Sequence, residues 1–214
     1  MKILLIGFDP FGKDVVNPAW EAVNKTSNQI GNVEIVKLKV PTVFYKSINT
    51  VIAAIEKEKP DAILCIGQAG GRCDLSLERV AINVNDARIC DNEGNQPIDE
   101  PIYKDGESAY FSSLPIKAMV KMMKEEGIPA SISNTAGTYV CNHLMYGVLY
   151  YLEKKHLEMK AGFMHVPYMT SQVVSLSSSL PSLPLETIVK GIEISISAIE
   201  KYEKDIRTVE GKLD

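Results

Sequence analysis

Short apolar runs alternate with helix-like segments along most of this chain, and this alternation limits the possible folds more than any other feature. Runs with the length and composition of buried strands occupy residues 2–6, 33–40, 61–66, 75–84, 130–133 and 161–166. Apolar residues at helical spacing occupy 17–28, 44–59, 114–126, 140–155 and 183–205. Strands that alternate with helices predict an α/β fold, with a mostly parallel central sheet and helices on both of its faces.

Outside these segments the chain contains three irregular stretches. Residues 91–106 are polar, contain Gly and Pro and lack a period, so we predict a surface excursion there. The charged segment 206–214 is predicted to be a frayed tail. The Ser-, Leu- and Pro-rich segment Ser175–Leu185 is predicted to contribute to an interface between subunits. With no internal repeat, we expect one domain over residues 1–214.

The charge and the apolar content of the chain exclude several classes of partner. Acidic residues (27) outnumber basic residues (23), so we expect no nucleic-acid partner. The apolar start Met1–Gly7 is too short for a signal peptide, and no run reaches the length of a membrane helix. The four cysteines include no CxxC pair and are predicted to be free thiols. We therefore expect a cytoplasmic protein with no membrane partner.

Cys141 is the candidate nucleophile. It follows a turn of small residues, Ser133–Thr138, that joins a strand-like run to a helical pattern. At a helix start, free backbone N–H groups and the helix dipole favour an anion, so we expect this thiol to ionise. The alternative is a small apolar residue that fills space in the core.

Only three histidines exist, and their positions separate them. His143 lies two residues from Cys141 on a predicted helix, where side chains do not face each other, and His156 lies among lysines at a helix end. His165 lies at the end of an apolar strand. It is the candidate general base, with a satisfied core histidine as the alternative.

Glu78 is the candidate carboxylate that orients the imidazole. It lies in an apolar strand-like run, and a buried carboxylate needs a partner. That partner is either His165 or, in a purely structural role, Arg79. Asp9 and Asp86 are weaker candidates for the same role.

Two glycine-containing segments, 7–12 and 67–72, follow predicted strands. Sites in open parallel sheets form at the carboxyl ends of strands, so we expect both segments to converge with Cys141 and His165 on one rim. Segment 7–12 approaches a phosphate-binding loop in spacing, but Asp9 and Pro10 oppose anion binding there. Segment 67–72 opens no evident helix, so neither segment predicts a nucleotide site.

Several motifs together resemble the pyroglutamyl peptidase I (pyrrolidone-carboxylate peptidase) family of cysteine peptidases. The resemblance runs from Gly7 to about Pro184 and is carried by segments 7–12, 67–83, 91–97, 133–142 and 162–168. It implies an α/β/α sandwich with a phosphorylase-like topology. It also implies a cytoplasmic thiol protease, commonly a homotetramer, that removes N-terminal pyroglutamyl residues from peptides without a metal or other cofactor.

The resemblance also implies roles for particular residues. It implies a Cys141–His165–Glu78 triad, the same three residues that the positions above select. It suggests Phe8 and Phe11 as walls of the pyroglutamyl pocket, with ordinary core packing as the alternative. Two further candidates come from the residues themselves. Backbone groups near Gln68 are candidates to bind the lactam, and Arg88 is a candidate second oxyanion donor, with a surface ion pair as its alternative.

Three other functions stay open at this point. A nucleoside-phosphorylase-like transferase rests on the implied fold alone, which is weak evidence for function. A non-catalytic binding protein would use the cleft between Phe8 and Phe11. A redox thiol protein is disfavoured because no second cysteine lies near Cys141 in the sequence.

Overall fold

The computed structural model describes residues 1–174 and 179–211. Its strands are β1 Lys2–Phe8, β2 Gln29–Ile30, β3 Val33–Val40, β4 Ala62–Gln68, β5 Leu75–Glu78, β6 Val80–Ile82, β7 Ala109–Phe111, β8 Ala130–Ser133, β9 Lys160–Val166, β10 Tyr168–Met169 and β11 Ser182–Leu183. Its helices are α1 Pro18–Lys25, α2 Lys46–Glu58, α3 Ile116–Glu125, α4 Val140–Lys154, α5 Thr170–Val173 and α6 Leu185–Lys201. The predicted elements are present, with ends displaced by a few residues. None of the helices in the described ranges is long and apolar enough to cross a membrane.

The central sheet has seven strands in the order β2-β3-β1-β4-β9-β5-β8. Alternate side chains of β1 point to opposite faces, as the period of a strand requires. Ile3 and Leu5 belong to the apolar cluster formed with α1, α3 and α6. Leu4 and Ile6 belong to the cluster formed with α2 and α4. The sheet is therefore the middle layer of an α/β/α sandwich, which confirms the predicted fold class.

Three of the seven strands, β2, β5 and β8, run antiparallel to the other four, and β2 pairs with β3 in this sense. β1, β3, β4 and β9 are parallel, but β5 pairs with β9 in the antiparallel sense, and β8 runs parallel to β5. The run predicted as one strand over 75–84 is also interrupted at Arg79. Its first part joins the main sheet, whereas its second part pairs with β7 in a separate two-stranded sheet.

The segment after α6 makes contacts that a frayed tail would lack. The carboxylate of Asp205 accepts hydrogen bonds from the backbone N–H groups of Lys117 and Ala118, where it caps α3. Lys124 forms an ion pair with Glu210 at 2.8 Å. These contacts argue against fraying next to α6, but the frayed tail over 206–214 stays a prediction, and residues 212–214 lie outside the described residues.

The other two irregular stretches differ in how fully the structure describes them. Most of the predicted excursion over 91–106 is exposed, and Glu100 pairs with Asn85 in an isolated bridge. Of the predicted interface segment Ser175–Leu185, residues 175–178 lie outside the described residues. Its later part contributes β11, which pairs with β10.

Candidate active site

The strands β4, β9 and β5 bring the candidate residues to one face of the sheet. In the register, His165 lies opposite Gly67 on one side and Ser76 on the other, and Glu78 lies opposite Phe163. Residues two apart on a strand share a face, so Phe163, His165 and Glu78 project to the same side. Glu78 reaches diagonally to His165, and its Oε1 lies 2.7 Å from the imidazole Nδ1.

Helix α4 covers this face and brings Cys141 onto it. A Cβ atom added to Gly67 would lie 2.9 Å from the Cys141 Sγ atom and 2.6 Å from the ring of Phe163. The absence of a side chain at Gly67 therefore makes the space that the sulfur occupies. Because Gly67 is the strand neighbour of His165, the thiol lies beside the strand position that carries the imidazole.

His165 and Glu78 form a buried, hydrogen-bonded pair. Burial lowers the pKa of His165 below its ordinary value, and the hydrogen bond and charge of Glu78 only partly offset this effect. Burial alone would raise the pKa of Glu78, but His165 and the positive charge of Arg72 outweigh it, so the net pKa is lowered. At neutral pH the carboxylate is ionised and the imidazole is neutral. Its Nδ1–H donates to Glu78, which leaves Nε2 as the basic nitrogen.

The Cys141 thiol is protonated at rest, in contrast to the prediction from its helix position. Burial raises the pKa of this thiol to about 12, with a further contribution from the charge of Glu78 and an opposing one from Arg72. The start of α4 does lack a side-chain cap, because its N-cap residue is Tyr139, and the hydroxyl of Tyr139 donates to the carbonyl of Cys90. A thiol with a pKa raised in this way needs a base before it can attack.

Arg72 is a site residue that the sequence did not identify. Its Nη1 donates to Oε1 of Glu78 at 2.7 Å, and its Nη2 donates to the carbonyl of Thr135 at 3.2 Å. Arg79, which we considered as the structural partner of Glu78, instead donates through Nε to Oδ1 of Asn134 at 2.9 Å. A strand turns successive side chains to opposite faces, so the neighbour in sequence is not the neighbour in space.

The two weaker carboxylate candidates have other partners. Oδ1 of Asp9 accepts a hydrogen bond from the backbone N–H of Thr42 at 2.7 Å. Asp86 is exposed, and its backbone carbonyl accepts from the hydroxyl of Thr138. Neither contacts His165 in the part of the chain that the structure describes, so Glu78 is the carboxylate that the fold brings to the imidazole.

A narrow pocket opens onto Cys141. The residues that line it with the thiol are Phe8, Phe11, Asn17, Thr42, Gln68 and Tyr139. Phe8, Phe11 and Gln68 were candidates from the sequence, whereas Asn17, Thr42 and Tyr139 were not. The Tyr139 ring packs 6.2 Å from that of Phe11. Arg88 is exposed and does not line this pocket, and its predicted role stays a prediction.

Comparison with known proteins identifies the family. A family model described as pyroglutamyl peptidase matches residues 1–202. The chain belongs to the pyroglutamyl peptidase family. It is 57% identical over 213 residues to a pyrrolidone-carboxylate peptidase of Clostridium botulinum, with 100% of both chains covered. A pyrrolidone-carboxylate peptidase of Streptococcus pneumoniae is also 57% identical, over 99% of both chains.

Solved structures of the pyroglutamyl peptidase family share this fold. The pyroglutamyl peptidase I of Bacillus amyloliquefaciens superposes with a TM-score of 0.94 at 50% identity, covering 97% of this chain and 99% of that one. The enzyme of Thermococcus litoralis superposes with a TM-score of 0.92 at 37% identity, covering 97% and 99%. These matches confirm the resemblance predicted from the motifs, and with it the prediction of a cysteine-type hydrolase.

Proposed function

We propose that this chain removes N-terminal pyroglutamyl residues from peptides, with Cys141 as nucleophile, His165 as general base and acid, and Glu78 as the orienting carboxylate. The observation that carries the proposal is the His165–Glu78 pair on the sheet face against which the Cys141 sulfur packs, at the end of an apolar pocket. A nucleophile, a base and a group that orients the base are the elements of acyl transfer.

The resting protonation states determine the order of proton transfers. His165 Nε2 takes the thiol proton as the Cys141 sulfur attacks the carbonyl that follows the pyroglutamyl ring. The imidazolium is stabilised by Glu78, and it gives the same proton to the leaving amine as the C–N bond breaks. A thioester remains. Water then attacks it, with His165 accepting a proton from the water and returning it to the departing thiolate.

The oxyanion of the tetrahedral intermediate needs hydrogen-bond donors. The backbone N–H of Cys141 lies in the first turn of α4, where N–H groups have no partner within the helix. One such preorganised donor contributes on the order of 3 kcal/mol to lowering a barrier. Arg88 is proposed as a second donor, and an unchanged kcat in Arg88→Gln would remove it from the mechanism.

The pocket suits a neutral lactam rather than a charged N-terminal amine. Its walls are the rings of Phe8, Phe11 and Tyr139, and its polar side chains, such as Asn17 and Thr42, are neutral. Apolar walls with a few placed polar groups are typical of small-molecule sites. The Gln68 amide donates to Asp14 Oδ2 at 2.8 Å, so we propose that its backbone, not its side chain, faces the lactam.

The proposal is tested with a chromogenic pyroglutamyl amide and the matching prolyl amide, which lacks the ring carbonyl. We expect hydrolysis of the first only, without added phosphate, and complete inhibition by iodoacetamide. Cys141→Ser should lose at least about a thousandfold in kcat, because the less acidic hydroxyl replaces the thiol as nucleophile. Cys73→Ser and Cys90→Ser, which change the two exposed cysteines, are the controls. Equal hydrolysis of both amides, or full activity of Cys141→Ser, would contradict the proposal.

The family resemblance also supports a cytoplasmic homotetramer of single-domain subunits as the working form. The predicted interface segment includes Leu183, which is half-buried in this isolated chain. A monomer mass by light scattering at assay concentration would remove the tetramer from the proposal. Two separate unfolding transitions would contradict the prediction of a single domain. Recovery of the protein outside the cytoplasm on cell fractionation would contradict the predicted location.

A further inference from the structure

The carboxylate of Glu78 is completely buried, and a single oxygen makes its polar contacts. Oε1 accepts from Nδ1 of His165 at 2.7 Å and from Nη1 of Arg72 at 2.7 Å. Oε2 is buried and has no hydrogen-bond partner among the described residues. A buried carboxylate that loses its only cation is strongly disfavoured in the ionised state. The arginine is therefore the group that keeps this carboxylate charged while the imidazole is neutral.

We propose that Arg72 is a positioning residue of the catalytic site, which acts through Glu78 and sets the protonation state of the pair formed by Glu78 and His165. The inference rests on the proposed function, because it assigns His165 the role of general base. It concerns a residue that lies in the motif segment 67–83 but to which the sequence analysis assigned no role, and that does not line the substrate pocket.

The location of Arg72 separates it from the substrate. Its side chain is 29% exposed and lines a cleft together with Ser76, Ser133 and Thr135. That cleft shares no residue with the pocket that contains Cys141. Arg72 therefore meets Glu78 outside the pocket that Phe8 and Phe11 line, and we infer that it influences the reaction without touching the pyroglutamyl ring.

The guanidinium is held in place before any substrate arrives. Besides Glu78, it donates to the carbonyl of Thr135 at 3.2 Å and to the hydroxyl of Ser133 at 3.4 Å. Both acceptors lie in the turn that leads to the nucleophile helix, so one side chain ties the catalytic carboxylate to that turn. The planar fork of arginine suits several fixed acceptors, whereas lysine offers one mobile point charge.

The charge of Arg72 acts on each member of the triad. The charged or titratable groups that face Glu78 and His165 are each other, Arg72 from the loop after β4, and Cys141 from α4. The positive charge lowers the pKa of Glu78, of His165 and of the Cys141 thiol. Removal of this charge makes His165 take up a proton at higher pH and makes the thiol harder to ionise. The first change reduces the fraction of enzyme with a neutral imidazole at a given pH, and the second makes removal of the thiol proton less favourable.

The experiment compares Arg72→Gln with Arg72→Lys and with the matched control Arg79→Gln. Arg79 bonds the same turn through Asn134 but does not contact Glu78. For Arg72→Gln we expect kcat to fall roughly ten- to a hundredfold, with KM nearly unchanged, since general acid–base catalysis loses part of its contribution. The acidic limb of kcat/KM should move to higher pH. Arg72→Lys should move it less, and Arg79→Gln should leave it in place.

Two readouts separate this inference from the proposed function. NMR titration of His165 should show its midpoint at higher pH in Arg72→Gln, and mass spectrometry should show slower alkylation of Cys141 by iodoacetamide at fixed pH. Neither needs turnover, so they test Arg72 even if the wild-type protein fails to cleave the pyroglutamyl amide. A lower melting temperature with an unchanged pH profile and an unchanged His165 midpoint would overturn the inference. If Arg72→Gln does not fold, the pH profile of Arg72→Lys tests the inference instead. A profile of Arg72→Lys identical to that of the wild type would then overturn the inference.

Discussion

Two buried histidines, His143 on α4 and His165 on β9, differ in the groups that their two ring nitrogens bind. His143 is 0% exposed and His165 is 4% exposed, so burial alone does not separate them. Each packs against an aromatic ring, with His143 at 5.1 Å from Phe44 and His165 at 4.8 Å from Phe163. Only their hydrogen-bond partners distinguish the catalytic candidate from the structural residue.

Both nitrogens of His143 are occupied by neutral groups. The backbone N–H of Tyr45 donates to Nε2 at 2.7 Å, which makes Nε2 an acceptor and places the proton on Nδ1. Nδ1 lies 2.9 Å from Oδ1 of Asn85 and donates to it. Burial lowers the pKa of His143 to about 3, with Asp91 opposing this shift. This imidazole is a fixed, neutral support.

His165 has one nitrogen bound to a carboxylate, which leaves the other for the reacting atoms. Glu78 stabilises the imidazolium that forms when the thiol proton moves, whereas the amide of Asn85 offers His143 no such charge. A buried histidine near a nucleophile therefore acts as a base only when it has both a free nitrogen and a counter-charge. His143 lacks both of these features.

His143 instead supports the pocket wall. Its Nε2 holds the backbone of Tyr45, which has a φ of 56° at the start of α2. A non-glycine residue in this conformation is strained and persists only when its surroundings hold it. The neighbouring Phe44 packs edge-on against Tyr139 at 5.5 Å, and Tyr139 lines the pocket. Loss of this support should affect substrate binding more than the chemical step.

The largest effect is expected when the same substitution is made at the two histidines. His165→Gln should lower kcat by at least about a thousandfold, because glutamine cannot accept and return a proton. His143→Gln should keep kcat within about threefold and raise KM, because its amide can replace one acceptor and one donor. The measurement is steady-state kinetics on the pyroglutamyl amide, with circular dichroism to verify folding of both variants. Equal losses of kcat in the two variants would contradict the assignment of His165 as the base and His143 as a structural residue.

A smaller effect is expected in the acid stability of the protein. The pKa of His143 is lowered in the folded state, so the unfolded chain binds its proton at higher pH than the folded chain does. Its contribution is therefore complete above pH 6.5 and is lost as the pH falls from 6.5 towards 3. Between pH 7 and pH 5 the free energy of unfolding should drop by about 2 kcal/mol through this residue.

The control for this prediction is the variant without the imidazole. Urea unfolding of wild type and His143→Gln at pH 7 and pH 5 isolates the contribution, because His165 and the carboxylates titrate in both proteins and cancel. The wild-type protein should lose more stability than the variant over this interval. The same loss in both proteins would show that His143 is not held neutral by the fold.

The positions of two candidate catalytic residues depend on local features, and the sequence could predict the elements that carry them. Cys141 was selected because a turn of small residues precedes a helical pattern, and α4 does begin at Val140. His165 was selected because it ends a buried strand, and β9 does run to Val166. These two signals lie within a few residues of each position, so no knowledge of strand pairing was needed.

Arg72 and the protonation state of the thiol could not be predicted, because both depend on packing between distant segments. The antiparallel pairing of β5 with β9 sets Glu78 beside His165, and nothing in Leu75–Glu78 specifies that direction. Arg72 then reaches back to Glu78 across the loop before β5. The helix start favoured an ionised Cys141, but burial, which the sequence does not show, raises the pKa of the thiol to about 12.

The smallest effect is expected from giving His143 the carboxylate that it lacks. Asn85→Asp places a negative charge beside Nδ1, in the role that Glu78 has for His165, and should raise the pKa of His143 towards its ordinary value. The rise should stop short of that value, because Tyr45 still donates to Nε2 and opposes a proton there. NMR titration of His143 measures this change, and the double variant with His143→Gln is the control.

The same variant tests which feature makes a histidine catalytic. In a His165→Gln background, Asn85→Asp should restore no activity on the pyroglutamyl amide, because Nε2 of His143 remains occupied even when a counter-charge is present. Recovery of more than about tenfold in kcat would mean that the counter-charge alone creates the base. The two histidines would then differ in function because one pairs with the carboxylate of Glu78 and the other with the amide of Asn85, and not because only one has a free nitrogen.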